Sequence, residues 1–173
     1  PNVGKQSGAF SSGTYDSDPY ILMNFQEDVI EHVFTLAHEA GHSMHTRLSA
    51  DAQPFQYAGY TIFVAEVAST FNEQLLTRHL LSKAHSPKQR AAIISREIDA
   101  IRGTIIRQTM FAEFERMSHS SVESGEPLTL EKIRTIYREL LTAYFGSGFA
   151  IDEALELESL RIPHFYRAFY VYK

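Results

Sequence analysis

The sequence predicts a mainly α-helical fold with a small β-hairpin or edge-strand region at its N-terminus. Three observations predict it. Apolar residues recur at helical spacing over most of the chain from residue 27 onward. Gly and Ser crowd the first 20 positions. The short apolar run Tyr20-Ile21-Leu22-Met23-Asn24-Phe25 is bounded by turn residues, as a strand is. Residues 1–26 therefore read as a loop and strand region and residues 27–173 as helical, within a single domain.

Each element has its own signals. Gly4, Gly8 and Ser11-Ser12-Gly13 suggest loops or a short hairpin, with turns at Ser12-Gly13 and Asp18-Pro19. The strand at 20–25 is either a sheet edge, able to pair with an extended peptide, or a plain core strand. A helix is expected over about 27–48, with Glu27, Asp28 and Glu31 in its first turns, where the helix dipole favours acids. Its apolar seam runs Val29-Ile30, Val33-Phe34, Ala37, Gly41, Met44, Leu48. A glycine on that seam lets another backbone come close. After a loop with Pro54, a second helix is expected over about 61–84. Ser86-Pro87 is a cap and first-turn start for a third, with Ala91, Ile94, Ile98, Ile101 and Ile105 on one face, ending near Ser118. His119 to Pro127 reads as a loop. Thr129 caps a fourth helix over about 130–145, with Ile133, Tyr137, Leu140, Leu141 and Tyr144 inward and Gly146 at its end. Asp152 caps a fifth over about 152–161, broken by Pro163 before an aromatic-rich tail.

Composition narrows the function. With 173 residues, 44% of them hydrophobic, the chain can bury a core. A net charge of −5 and no basic run argue against nucleic acid as a partner. No apolar run is long enough to span a membrane, and no signal peptide is evident. There are no cysteines, so any metal is held by His and carboxylate, and the composition suits a reducing cytoplasm. A first residue that is not Met, and a stop inside an aromatic pattern, suggest a piece of something larger.

The chemistry concentrates at His38-Glu39-Ala40-Gly41-His42, an H-E-x-x-H run inside the first helix. Imidazoles four residues apart leave a helix on the same face and can share one metal ion. The Glu between them is placed to take a proton from a water that the ion activates. The bland alternative is a surface helix with two incidental histidines. A catalytic zinc needs a third protein ligand. An extended H-E-x-x-H-x-x-G-x-x-H would need Gly at 45 and His at 48, but those positions hold His45 and Leu48. His45 lies three residues past His42 and reads as a supporting or structural residue. Peptide deformylase-like chemistry needs a cysteine ligand, and none is present. Glu66 is the best third ligand, because its apolar surroundings, Phe63 to Ser69, leave a carboxylate in want of a partner. A salt bridge to an arginine is the other reading. Glu73, two turns later on the same face, reads either as a hydrogen-bond partner of a ligand histidine or as a solvated charge.

Taken together, the run from His38 to His45 with Glu66 28 residues after His38 resembles the thimet oligopeptidase and oligoendopeptidase F family. Gly8-Ala9-Phe10 and Tyr20 to Phe25 resemble the segment that family carries before its metal helix. Ile162-Pro163-His164-Phe165-Tyr166, continuing to Phe169-Tyr170-Val171-Tyr172, resembles the oligoendopeptidase F branch. The resemblance implies a helical, zincin-like (gluzincin) catalytic core of a zinc metalloendopeptidase that hydrolyses short oligopeptides. It implies one zinc ion on His38, His42 and Glu66, with Glu39 as the base. It also implies substrate contact by the carboxyl-terminal His/Tyr segment. His164 and Tyr170 are then candidate donors to the developing oxyanion, and Tyr166 and Tyr172 weaker, substrate-binding ones. The alternative is packing: Phe165, Phe169 and Tyr166 fit a core equally well. Members of the family are several times longer, so this chain resembles their catalytic core alone. A helical piece that binds zinc or peptide without turnover is the competing reading.

Overall fold

The computed structural model describes residues 8–172. The loop expected over residues 1–7 lies outside the described residues. The chain forms two compact units, one up to Ile93 and one from Ile94. The division falls inside a helix, and each unit is described by itself.

The first unit is a β-hairpin beside a pair of helices. Strands β1 (Ala9–Ser12) and β2 (Tyr20–Met23) pair antiparallel, with Ala9 opposite Met23 and Ser12 opposite Tyr20. Burial alternates along each, as a period of two requires. The sheet has two strands, so β2 is an edge strand rather than a core one. The hairpin is tied to helix α1 (Ile30–Ala52) by Ser11 Oγ, 2.8 Å from Ser43 Oγ, and by an ion pair between Asp18 and Arg47. Entry into α1 is shaped by His32, whose Nδ1 accepts the Gln26 N–H at 2.9 Å. Pro54, extended at φ −65° and ψ 157°, stands just past its end.

Helix α2 (Ile62–Lys83) returns antiparallel to α1: Tyr60, just ahead of it, stacks on His45, Ala68 and Ser69 meet Gly41, and Asn72 reaches Ala37. The helices close most tightly at Gly41. A Cβ there would lie 2.7 Å from both Ala68 O and Ser69 Cα, a backbone contact that no rotamer change relieves. Three α1 seam expectations are corrected. Phe34 and Gly41 are buried, but Ile30, Met44 and Leu48 are exposed. One facing helix covers only a narrow stripe, so the edges of a seam broad enough for a full core stay uncovered.

Helix α3 (Pro87–Ile101) starts as its sequence suggests, with the Gln89 N–H donating to Ser86 Oγ at 3.2 Å. The face expected inward is instead outward: Ala91, Ile94, Ile98, Ile101 and Ile105 are exposed. The helical run passes through a π-helical turn at Arg102–Ile106 and continues as α4 (Arg107–Glu123). Helical spacing marks this face as apolar and does not say what covers it. The expected loop from His119 is helical to Glu123. Its polar residues are satisfied locally, since Ser118 Oγ donates to Phe114 O at 2.8 Å and His119 stacks on Phe169 at 4.0 Å. The helix stops at Gly125, at φ +88°.

The second unit has the larger apolar core. Met110, Phe111 and Phe114 of α4 pack on Ile136, Tyr137, Leu140 and Leu141 of α5 (Leu130–Phe145). Thr129 caps α5, accepting the Lys132 N–H at 3.2 Å, and Gly146 ends it at φ +80°. Asp152 caps α6 by accepting from Leu155 N at 2.8 Å, but α6 is only Glu153–Glu156, shorter than expected. Glu156 turns inward, buried between Arg134 and Arg138, and the chain tightens into 3-10 turns at Glu158–Arg161 and Pro163–Tyr166. Glu158 accepts the Tyr137 hydroxyl at 2.8 Å and pairs with Arg107 and Arg161. Burial alone would raise its pKa, but the bonds from Tyr137 and Arg107 outweigh it and hold the carboxyl below its ordinary value.

Two outcomes follow from this packing. Gly41→Ala should destabilise the protein by about 1–3 kcal/mol, the cost of overpacking a closed contact, in urea unfolding; an unchanged midpoint would contradict the close approach. Because the folded-state pKa of Glu158 is depressed, its contribution to stability is full above the ordinary carboxylate range and is lost as pH falls through the lowered value. Glu158→Gln should lower stability at neutral pH and flatten its decline between neutral and acid pH. An equally steep decline in the variant would refute the assignment.

Candidate metal centre

The antiparallel pairing of α1 and α2 brings three predicted ligands to one point. His38 Nε2 and His42 Nε2 are 3.2 Å apart, Glu66 Oε2 is 3.3 Å from His38 Nε2, and it is 3.6 Å from His42 Nε2. A cation bound at about 2.0–2.1 Å with tetrahedral angles separates its ligand atoms by roughly 3.3–3.4 Å. The triangle therefore fits a divalent ion suited to nitrogen and oxygen. Among the described residues, His38, His42 and Glu66 form the one group of ligand type that converges this way.

The supporting contacts are equally specific. Glu73 Oε1 lies 2.8 Å from His38 Nδ1, so the ring donates there and turns its Nε2 lone pair toward the other ligands. Burial lowers the His38 pKa, but the bond to Glu73 and the charges of Glu66, Glu73 and Glu39 outweigh it and hold it above its ordinary value. A concentration of carboxylate charge that favours a proton on this imidazole favours a cation beside it for the same reason. Glu39 is 7% exposed and has no ion-pair partner among the described residues. Asn72 Nδ2 donates to Ala37 O at 2.6 Å, next to the first ligand, and Ser69 Oγ donates to Glu66 Oε2 at 2.8 Å.

One premise about Glu66 is corrected. Its side chain is 49% exposed rather than buried in an apolar setting, and Phe63 and Val67 around it are exposed too. A run of apolar residues on a helix encircles it, and only one face is covered by α1. His45 does not join the ligand set. Its ring stacks flat on Tyr60 at 3.7 Å, and the Tyr60 hydroxyl lies 2.7 Å from Thr46 Oγ1.

The four aromatic-tail candidates belong to the second unit. His164 and Tyr170 stack with centroids 4.8 Å apart and planes 11° apart, and Arg167 lies over the Tyr170 ring. Tyr166 donates its hydroxyl to Leu160 O at 2.7 Å. The N–H groups of Val171 and Tyr172 donate to the buried Glu115 carboxylate at 3.2 and 3.0 Å. Phe165 packs between Phe111 and Phe114, as the packing alternative has it, but Tyr166 and Phe169, which that alternative also placed in a core, are exposed. Ser69, Asn72 and Glu115 were not singled out from the sequence. For Ser69 the signal was present, a hydroxyl one helical turn from Glu66.

Comparison with known proteins decides the family. A match to Peptidase family M3 spans residues 1–173. The chain belongs to peptidase family M3. It is 50% identical to Oligopeptidase PepF of Bacillus subtilis over 172 residues, covering 99% of this chain and 26% of that protein. It is 48% identical to the Oligoendopeptidase F homolog of Borreliella burgdorferi, covering 99% of this chain and 29% of that one. The crystal structure of oligoendopeptidase-F from Enterococcus faecium matches with a TM-score of 0.63 at 40% identity, over 83% of this chain and 25% of that one. The M3 chain thus spans about a quarter of the length of these relatives, and its fold is similar to the neighbour's over the matched part.

The geometry yields a direct expectation. Glu73→Ala should weaken divalent-metal affinity by about 10–100-fold, the usual effect of removing a ligand's orienting partner, while helicity is retained. Titration against a chromophoric chelator measures it, and an unchanged dissociation constant would show that Glu73 does not orient His38.

Proposed function

We propose that the protein is a zinc-dependent metalloendopeptidase that hydrolyses peptide bonds in short oligopeptides. The observation that carries the reading is the 3.2–3.6 Å triangle of His38, His42 and Glu66, with the buried Glu39 next to one of its corners. The names of its M3 relatives support the substrate class. His38, His42 and Glu66 hold one zinc ion, and the ion when bound supplies Lewis acidity that polarises the scissile carbonyl and acidifies water.

The chain's own groups do the rest. Glu39 takes a proton at a carboxylate oxygen from the attacking water, then returns it to the nitrogen of the leaving amine. Glu73 keeps His38 in one tautomer throughout, holding its proton at Nδ1. Tyr170 and His164 donate to the developing oxyanion, in line with the family resemblance, and Tyr166 and Tyr172 contact the peptide. β2 offers an edge to an extended chain. The remainder of a longer protein supplies the channel walls that limit substrate length. No described helix is long and apolar enough to cross a membrane. The cysteine-free composition suits a reducing cytoplasm, where we place the activity.

One observation favours a second reading for these 173 residues in isolation. They span a little over a quarter of the relatives' length, and a metal-holding piece without turnover accords with that. In the full-length protein, Glu39→Gln should keep its metal and lose about 10²–10⁴-fold in cleavage of a quenched fluorescent peptide. A variant that still cuts at the normal rate would overturn Glu39 as the base.

A further inference from the structure

We propose that Ser69 is a positioning residue for the metal centre: it selects Oε2 of Glu66 as the ligating oxygen and holds it toward the two imidazoles. The inference rests on the reading of His38, His42 and Glu66 as the metal-holding set.

Three groups meet at that one oxygen. Ser69 Oγ is 2.8 Å from Glu66 Oε2, the same atom that stands 3.3 Å from His38 Nε2 and 3.6 Å from His42 Nε2. Glu66 has a long side chain, half exposed; left alone, it samples rotamers that face water. Ser69 is its opposite. It is 0% exposed, and its Cα lies where a side chain on Gly41 would have to be, so the contact between the two helices fixes its place. Ser69 is therefore a rigid donor beside a flexible acceptor. Its hydroxyl also lies 3.1 Å from Glu66 O, but the charged carboxylate is the stronger acceptor. One O–H occupies one lone pair of Oε2 and leaves another for a cation. Ser69 itself is closed to solvent, so its hydroxyl has no water to turn to. The mobile ligand is thereby tied to the helix contact that also fixes His38 and His42.

The test is a double-mutant cycle on zinc affinity, read by chelator competition in the full-length protein. Ser69→Ala should weaken zinc binding by about 10-fold or more and speed release to the chelator. Glu66→Ala should weaken it further, and adding Ser69→Ala to Glu66→Ala should cost nothing more. Unchanged affinity in Ser69→Ala overturns the inference, as does an equal loss with and without Glu66, which would mean that Ser69 acts on packing. Full affinity in Glu66→Ala instead sinks the ligand set itself, so the two failures are distinct. If Ser69→Ala does not fold, a crystal structure of the zinc-loaded wild type decides: Ser69 Oγ within hydrogen-bond reach of the ligating oxygen supports the role, and a Ser69 turned away from it refutes it.

Discussion

Everything at the candidate site depends on how closely α1 can approach α2. Gly41 removes the one Cβ that would hold them apart, and backbone atoms of Ala68 and Ser69 fill the space. That contact sets the axial register of two antiparallel helices. Once it is set, Glu66 lies a turn to one side, facing His42 and His38, and Glu73 lies further on, facing the far nitrogen of His38. A register shifted by one residue would rotate each carboxylate by about 100° and scatter the group. The H-E-x-x-H motif is thus half of a device whose other half is a glycine contact.

Electrostatics and packing divide the work. Glu39, Glu66 and Glu73 concentrate negative charge around two imidazoles, and no described arginine or lysine pairs with the ligand oxygen. Such a cluster is costly by itself and becomes favourable with a cation in it. The stability of the first unit comes from elsewhere, in the narrow buried stripe of Phe34, Ala65 and Ser69. The second unit gains its own from the α4–α5 interface and from two acids, buried Glu156 and half-buried Glu158, each bridged by arginines. Glu115 is the third, and it holds the backbone of the aromatic tail rather than a side chain.

Much of this was legible in the sequence, for identifiable reasons. The pairing of His38 with His42 follows from spacing, since four residues on a helix mean one face, whereas Glu66 was chosen for its apolar neighbours. Helix α5 could be bounded to the residue because Thr129 and Gly146 are strong local punctuation. The apolar faces of α1 and α3 were harder. Met44, Leu48 and Ile94 to Ile105 are exposed, because periodicity reports that a face is apolar and not what covers it. The relatives' greater length bears on that point, as these faces belong to a chain spanning a little over a quarter of them. The π-helical turn carries no periodic signal at all, and Glu66 was placed correctly on α2 while its exposure was misjudged. The polar support of the site, Ser69 and Asn72, depends on three-dimensional register and so had no sequence pattern strong enough to separate it from an ordinary helix surface.

The most direct test of the central claim is the anomalous scattering of a zinc-soaked crystal, recorded on both sides of the zinc absorption edge. A zinc ion held by this triad gives a single strong peak equidistant, at about 2 Å, from His38 Nε2, His42 Nε2 and Glu66 Oε2. A peak bound elsewhere, or density at that point that fails to change across the edge, would contradict that reading.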